Sequence, residues 1–317
     1  MDTLTHGLIG ILGSKTGFSQ REGKIATIAF LIGAIFPDID LIVSFFGPEF
    51  SLRYHRGITH SIIAAPLFAM FIAAVIYRFA SFKKFVLLSV IVALGIYSHI
   101  LFDLITSYGT VIFDPISMKR YSWNLVFILD PFITIPVVLG LILCWKWSDR
   151  ALIISVSILT FLGIYLMSNL CVKLLYEQKL RGFAAADSIA VTRSTVYPRP
   201  LAPFFWMGVI ETEDAFYKLD YSILRKAPVR LDRISKIKKN VFIDRANYLK
   251  VTNLFKWFAD YPIADYTEVN GDHIVRYYDL KFDVIPNRNP FNLKIVFSSE
   301  GALEKVSLNG RNVRLVF

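Results

Sequence analysis

Residues 85–105 read FVLLSVIVALGIYSHILFDLI: fourteen residues without a charge, then His99 and, four positions on, Asp103. About 20 mostly apolar residues is the length of a membrane-crossing helix. On a helix, positions four apart share a face, so the stretch ends with an imidazole and a carboxylate one above the other. Charge in hydrocarbon is costly, and an ionisable pair at such a place needs partners.

Four further stretches have a similar length and character: Ile25–Phe46, Ile58–Tyr77, Leu125–Trp145 and Ala151–Val172. A shorter one, Leu4–Gly13, is too short to cross and reads as a half-crossing helix. The whole chain is 55% hydrophobic and 19% charged, with a mean hydropathy of +0.50, against about 25% charged for an ordinary soluble domain. The charge is also uneven. Met1–Leu175 holds 13 of the 35 Lys+Arg and 9 of the 25 Asp+Glu, and the remainder holds 22 and 16. The expected fold is an α-helical polytopic membrane domain over 1–175, with about five spanning helices plus the N-terminal half-helix. A linker over 176–203 and a small α+β, β-rich extramembrane domain over 204–317 follow.

The pattern behind that second domain is of a different kind. Phe204–Glu211 and Ala215–Ser222 flank Thr212-Glu213-Asp214 as paired strands. His273–Phe282 alternates after Asn270-Gly271, and Val313–Phe317 follows Asn309-Gly310; Asn-Gly favours the type I′ turns of hairpins. Arg245–Asp260 has its apolar residues at the spacing of one amphipathic helix.

Several classes are excluded. The only cysteines, Cys144 and Cys171, lie in apolar runs, so neither a disulfide scaffold nor a zinc finger is built from them. The formal charge of +10 sits in scattered residues or beside spans, without a recognition module, so no nucleic-acid partner is expected. The acidic start Met1-Asp2-Thr3 does not read as a cleavable signal peptide. Short-loop cations number eight on one set of loops (Lys15, Arg21, Lys24, Arg78, Lys83, Lys84, Lys146, Arg150) and four on the other (Arg53, Arg56, Lys119, Arg120). By the positive-inside rule the first set is cytoplasmic. Five crossings then place the C-terminal domain outside the cytoplasm.

The same topology gathers the ionisable residues at the outer side. His55, His60 and His99, with Asp38, Asp40, Asp103 and Asp130, fall at or beside span ends on that side, and Asp2 and His6 join them if the N-terminal half-helix runs inward. Acids so gathered repel one another, and a divalent cation removes the repulsion while accepting neutral imidazoles. Phe36-Pro37-Asp38-Ile39-Asp40 breaks a span and offers two carboxylates. His55-Arg56-Gly57-Ile58-Thr59-His60 sets two imidazoles about the start of a helix. A lone membrane histidine is more often a hydrogen-bonding residue than a ligand, and Asp40 alone could cap a helix. His273, with no His or Cys nearby, reads as a strand residue. The set taken together points to metal: His6, Asp38, Asp40, His55, His60, His99 and Asp103 are the candidate ligands.

In order along the chain, Met1-Asp2-Thr3-Leu4-Thr5-His6, Phe36-Pro37-Asp38-Ile39-Asp40, His55-Arg56-Gly57-Ile58-Thr59-His60-Ser61, His99-Ile100-Leu101-Phe102-Asp103 and Thr106-Ser107-Tyr108-Gly109-Thr110 resemble the YdjM-like bacterial inner-membrane proteins. Ser122-Trp123-Asn124 and Asp130-Pro131 are similar to that family's later pattern, and the likeness covers about Met1 to Trp147. The resemblance implies a metal-dependent hydrolase. It implies nothing for the C-terminal domain beyond an extension found on longer members.

The expected function is therefore a membrane-bound hydrolase with one or more divalent ions. Zinc is the first choice for mixed His/Asp ligation, with Mn²⁺ or Fe²⁺ as alternatives. Asp40 or Asp130 is the expected general base, and Arg56, with Lys119 and Arg120, the holder of an anionic headgroup. Membrane lipids are the expected partners, and a lipid phosphoester or other ester is the substrate that the location suggests. No His-Glu-x-x-His stands anywhere, so a zinc protease of that type is excluded. Tyr97-Ser98-His99 lacks the Arg of lipid phosphatases that use a nucleophilic histidine. The alternative of another class is a divalent-metal transporter or sensor without hydrolytic activity. Its ligands belong near the bilayer midplane, whereas His99 lies about 21 Å along its helix from Phe85 at 1.5 Å per residue.

Overall fold

A computed structural model of the chain describes residues 1–80, 82–225, 227–237, 239–283, 289 and 291–313. It divides into two compact units, one of Met1–Asp40, Arg56–Lys173 and Pro200–Pro203, the other of Leu41–His55, Leu174–Arg199 and Phe204–Phe317.

The first unit is helical. Asp2 caps the helix Thr3–Ser14 by accepting from the Thr5 backbone N–H at 2.9 Å. The helix Lys24–Ile35 packs against it and against Phe85–Leu104, which also packs on Ala65–Phe79. Ala26, Ala29 and Phe30 meet Ala65, Ala69 and Ile72 and, on the central helix, Leu88, Ile91, Val92 and Ile96 in one core. A second core joins Leu12 and Phe102 to Val126, Ile133 and Val137. On the outside, Leu67, Val86 and Ile153 are 70%, 75% and 69% exposed. Helices apolar inside and out are membrane helices.

By length and composition, three helices of the described residues could cross a membrane: Lys24–Phe45, Phe85–Leu104 and Ser148–Ala186. A fourth is reached if Pro48–His60 and Ala65–Phe79, bent by 77°, count as one broken span. The count of five expected from the sequence is thus not reached on these criteria, and two helix starts account for much of the difference. Asp130 is an N-cap and Pro131 opens its helix, so Leu125–Trp145 contracts to the shorter apolar helix Pro131–Lys146. Pro66 likewise stands in the first turn of Ala65–Phe79, leaving only a 3₁₀ turn at Ile58–His60 upstream. Pro37 acts on the first span: it cannot donate within a helix, and Phe36–Phe45 tightens from α into 3₁₀ geometry.

The helix Ala151–Ala186 runs through the first part of the expected linker, and Arg193–Pro198 in its second part is a strand. In the second unit, β1 (Arg193–Pro198), β2 (Phe205–Glu211), β3 (Ala215–Ser222) and β4 (Arg230–Ser235) form an antiparallel sheet in sequence order. Gly208 leaves room on one face for Leu180, whose Cδ1 would lie 2.7 Å from a Cβ there. The second antiparallel sheet is β5 (Pro262–Val269), β6 (Asp272–Asp279), β7 (Asn292–Phe297), β8 (Leu303–Leu308) and β9 (Arg311–Asn312). Asn270-Gly271 and Asn309-Gly310 have the positive φ pairs of type I′ turns, 55° with 87° and 51° with 78°. Of the strand expected over Val313–Phe317, residues 314–317 lie outside the described residues.

The helix expected over Arg245–Asp260 is two helices, Val241–Asn247 and Lys250–Phe258. Asn240 starts the first by accepting from the N–H groups of Phe242 and Ile243, and Leu249 is extended between them. Asn247 is pinned at the break by the Tyr277 hydroxyl and the Lys256 ammonium, each at 2.6 Å from its side-chain oxygen.

Candidate metal centre

The central helix and its neighbour approach backbone to backbone. A Cβ on Gly33 would stand 2.3 Å from the Val92 carbonyl oxygen, and one on Gly95 2.5 Å from that of Phe30. Small residues permit such crossings in membranes. One turn beyond Gly95, His99 reaches the neighbouring backbone and its Nδ1 lies 2.7 Å from the Ala34 carbonyl oxygen. An acceptor there fixes the proton on Nδ1 and leaves Nε2 with its lone pair.

His60 is held in the same manner by a carboxylate. Its Nδ1 is 3.3 Å from Asp40 Oδ2, which also accepts from the Arg56 N–H and the Thr59 hydroxyl, both at 2.9 Å. Asp38 and Asp40 thus bracket one imidazole, with Asp38 Oδ1 3.7 Å from Nε2 on the far side. The 3₁₀ turn after Pro37 makes this arrangement: both carboxylates are carried inward and both are buried.

Asp38, His60, His99 and Asp103 form a group whose donor atoms suit a single ion. His60 Nε2 and His99 Nε2 are 3.1 Å apart; Asp103 Oδ2 is 3.2 Å from the first and 3.4 Å from the second; Asp38 Oδ1 is 3.7 and 3.5 Å from them. A tetrahedral ion with bonds of about 2.0–2.1 Å has ligand–ligand edges of about 3.3–3.4 Å. The five edges scatter about that value. Two lone-pair nitrogens at such a separation repel, and Asp103 Oδ2, fully buried, accepts no hydrogen bond among the described residues. A cation at the centre satisfies all of them at once.

Asp103 spends its two oxygens differently. Oδ1 accepts from Arg56 Nη2 at 2.8 Å, contacts His6 Nε2 at 3.1 Å, and also takes the backbone nitrogen of Met1. His6 is therefore one carboxylate oxygen removed from the four-donor group. Its ring stacks on His99 with centroids 3.6 Å apart, and its Nδ1 has no hydrogen-bond partner among the described residues.

The remaining candidates lie outside the four-donor group. Arg56 was expected to face an anionic headgroup, but its left-handed backbone (φ 64°) turns the guanidinium inward. There it lies on Asp103 and, at 3.2 Å, on the Thr106 hydroxyl, with Tyr108 over it. The anion it holds is the protein's own. Arg120 similarly donates to the carbonyls of Tyr108 and Gly109. Asp130 caps its helix through the Phe132 N–H at 2.9 Å and accepts the Tyr165 hydroxyl at 2.7 Å, outside the four-donor group. His55 closes the helix Pro48–Tyr54, in the second unit, and is half-buried. Two supporting hydroxyls were not singled out from the sequence: Thr3 donates to Asp38 Oδ2 and Thr59 to Asp40. The only sequence signal for them is their place inside the quoted motifs, near His6 and His60.

The YdjM inner membrane protein family matches residues 1–171, which contain every donor of the centre. The chain belongs to that family. Outside the family match, "Uncharacterized protein YfhP" of Bacillus subtilis (strain 168) is 27% identical over 300 residues, covering 89% of this chain and 87% of the relative. That coverage carries the likeness beyond the YdjM region into the second unit. No solved structure matches. Family and apolar helices together place this YdjM chain in a membrane, with a buried His/Asp group able to hold a metal ion.

Proposed function

We propose that the protein is a membrane-embedded, metal-dependent hydrolase with zinc as its ion, acting on an ester or phosphoester at the outer membrane interface. The observation that carries this reading is the four-donor group with near-tetrahedral edges. Two imidazoles and two carboxylates at this spacing suit zinc better than a hard, six-coordinate ion. When bound, the ion would supply Lewis acidity, and a nucleophile at neutral pH once one of the four donors yields its place to water.

The chain's own residues have separable tasks in this reading. His60, His99, Asp38 and Asp103 bind. Asp40 and the Ala34 carbonyl orient the two imidazoles. Arg56 neutralises one oxygen of Asp103 and leaves the other to the centre. His6, stacked on His99, closes the side formed by the N-terminal helix. The group lies at one end of the central helix, which favours a one-sided site over a conduit. The outer-face position rests on the loop-charge asymmetry.

The test is release of product from lipid phosphoesters by purified protein, with and without added zinc after chelation, beside His99→Ala. Activity restored by metal and absent from the variant supports the proposal. Equal activity in all three samples, or zinc uptake into proteoliposomes without hydrolysis, contradicts it.

A further inference from the structure

The second unit holds a cavity of about 670 Å³ between facing surfaces of its two sheets. The apolar part of that interface is filled by Phe216, Tyr261 and Ile263, with Ile234 and Tyr278 beside them. Beyond Ile234 and Tyr278 the walls become polar. Lys218, Arg230 and Asp232 face the cavity from β3 and β4, and Asp265, Arg276 and Lys294 from β5, β6 and β7.

The cations are not equivalent. Lys218 is buried with its ammonium on the Asp283 carboxylate, and Arg230 lies on Asp232 at 2.8 Å. Arg276 and Lys294 stand directly opposite each other on β6 and β7, where like charges destabilise a sheet. Neither closes an ion pair among the described residues. Asp265, opposite Arg276 on its other side, closes no ion pair with it among the described residues. Arg276 is exposed and Lys294 half-buried where they line this pocket, and an anion between two adjacent cations compensates both.

The rest of the lining narrows the ligand. Asp232, Asp265 and Asn292 offer acceptors that suit hydroxyl groups, beside the apolar surfaces of Ile234 and Tyr278. A phosphomonoester carries close to two negative charges at neutral pH, matching the two cations that close no ion pair among the described residues. We propose that this cavity binds a phosphorylated polyol or sugar, with Arg276 and Lys294 on the phosphate and Asp232, Asp265 and Asn292 on the hydroxyls. The proposal is independent of the metal centre.

Calorimetric titration of the full chain in detergent tests it, with sn-glycerol 3-phosphate, inorganic phosphate and glycerol as separate probes. Glycerol 3-phosphate should bind saturably, at least about tenfold more tightly than inorganic phosphate, and glycerol alone should not bind. Arg276→Gln/Lys294→Gln should weaken glycerol 3-phosphate at least about tenfold while its melting temperature without ligand stays equal or rises, since a repulsive pair has been removed. No saturation at millimolar glycerol 3-phosphate overturns the proposal. So does unchanged affinity in the folded double variant, or inorganic phosphate binding as tightly as the ester.

Discussion

His60 and His99 point their Nε2 atoms at each other across 3.1 Å, while the Nδ1 atoms behind them face Asp40 and the Ala34 carbonyl. If both protons sit on Nδ1, two lone pairs converge on one point with two carboxylate oxygens beside them. Paired hydrogen bonding among these groups would need a proton on one Nε2 and would leave Asp103 Oδ2 with a single imidazole. A cation requires no such compromise.

Asp40 acts through His60 in this arrangement. Asp40→Asn should retain the four donors yet lower metal affinity about 10- to 100-fold, the usual cost of losing an orienting partner behind a histidine ligand. Competition with a graded series of chelators reads that shift. Affinity equal to the wild type would show that the Asp40–His60 contact is incidental.

The crossing of Gly33 over Gly95 sets the reach of His99. Gly95→Val brings side-chain atoms into the backbone of the neighbouring helix, and overpacking of this kind costs about 1–3 kcal/mol. The variant should melt at a lower temperature in detergent and bind less metal, because separating the helices carries His99 away from Ala34. Unaltered metal content together with an unaltered melting temperature would place the crossing outside the mechanism.

Asp130 is held by Tyr165 and by its own helix, which makes it a structural residue here. Tyr165→Phe leaves the buried carboxyl short of a donor and should cost about 1–3 kcal/mol of stability. Metal content, measured on the same folded preparation, should not change. Loss of metal without loss of stability would return Asp130 to the centre.

Much of the centre is legible in the sequence because it is local. His99 and Asp103 share a helix face by spacing alone, and Pro37 announces that Asp38 and Asp40 leave regular α geometry. The division of labour is not local. That Asp103 gives one oxygen to Arg56 and keeps the other for the centre depends on a left-handed residue at Arg56 and on three separate elements meeting. The fold shows the same contrast. Both Asn-Gly hairpins follow from their two residues, whereas the shortened helix at Pro131 needed the capping role of Asp130 to outweigh the apolar run Leu125–Leu129. The break at Leu249 is invisible to periodicity because Asn247 is anchored from the strand β6, by Tyr277.

Elemental analysis of the purified, folded protein tests the central claim most directly, with His60→Ala and Asp103→Ala prepared in parallel. The expected result is about one tightly held zinc per chain, as a four-ligand site requires, and near-zero occupancy in both variants. A well-folded wild-type protein that carries no metal and takes none up from micromolar zinc would contradict it.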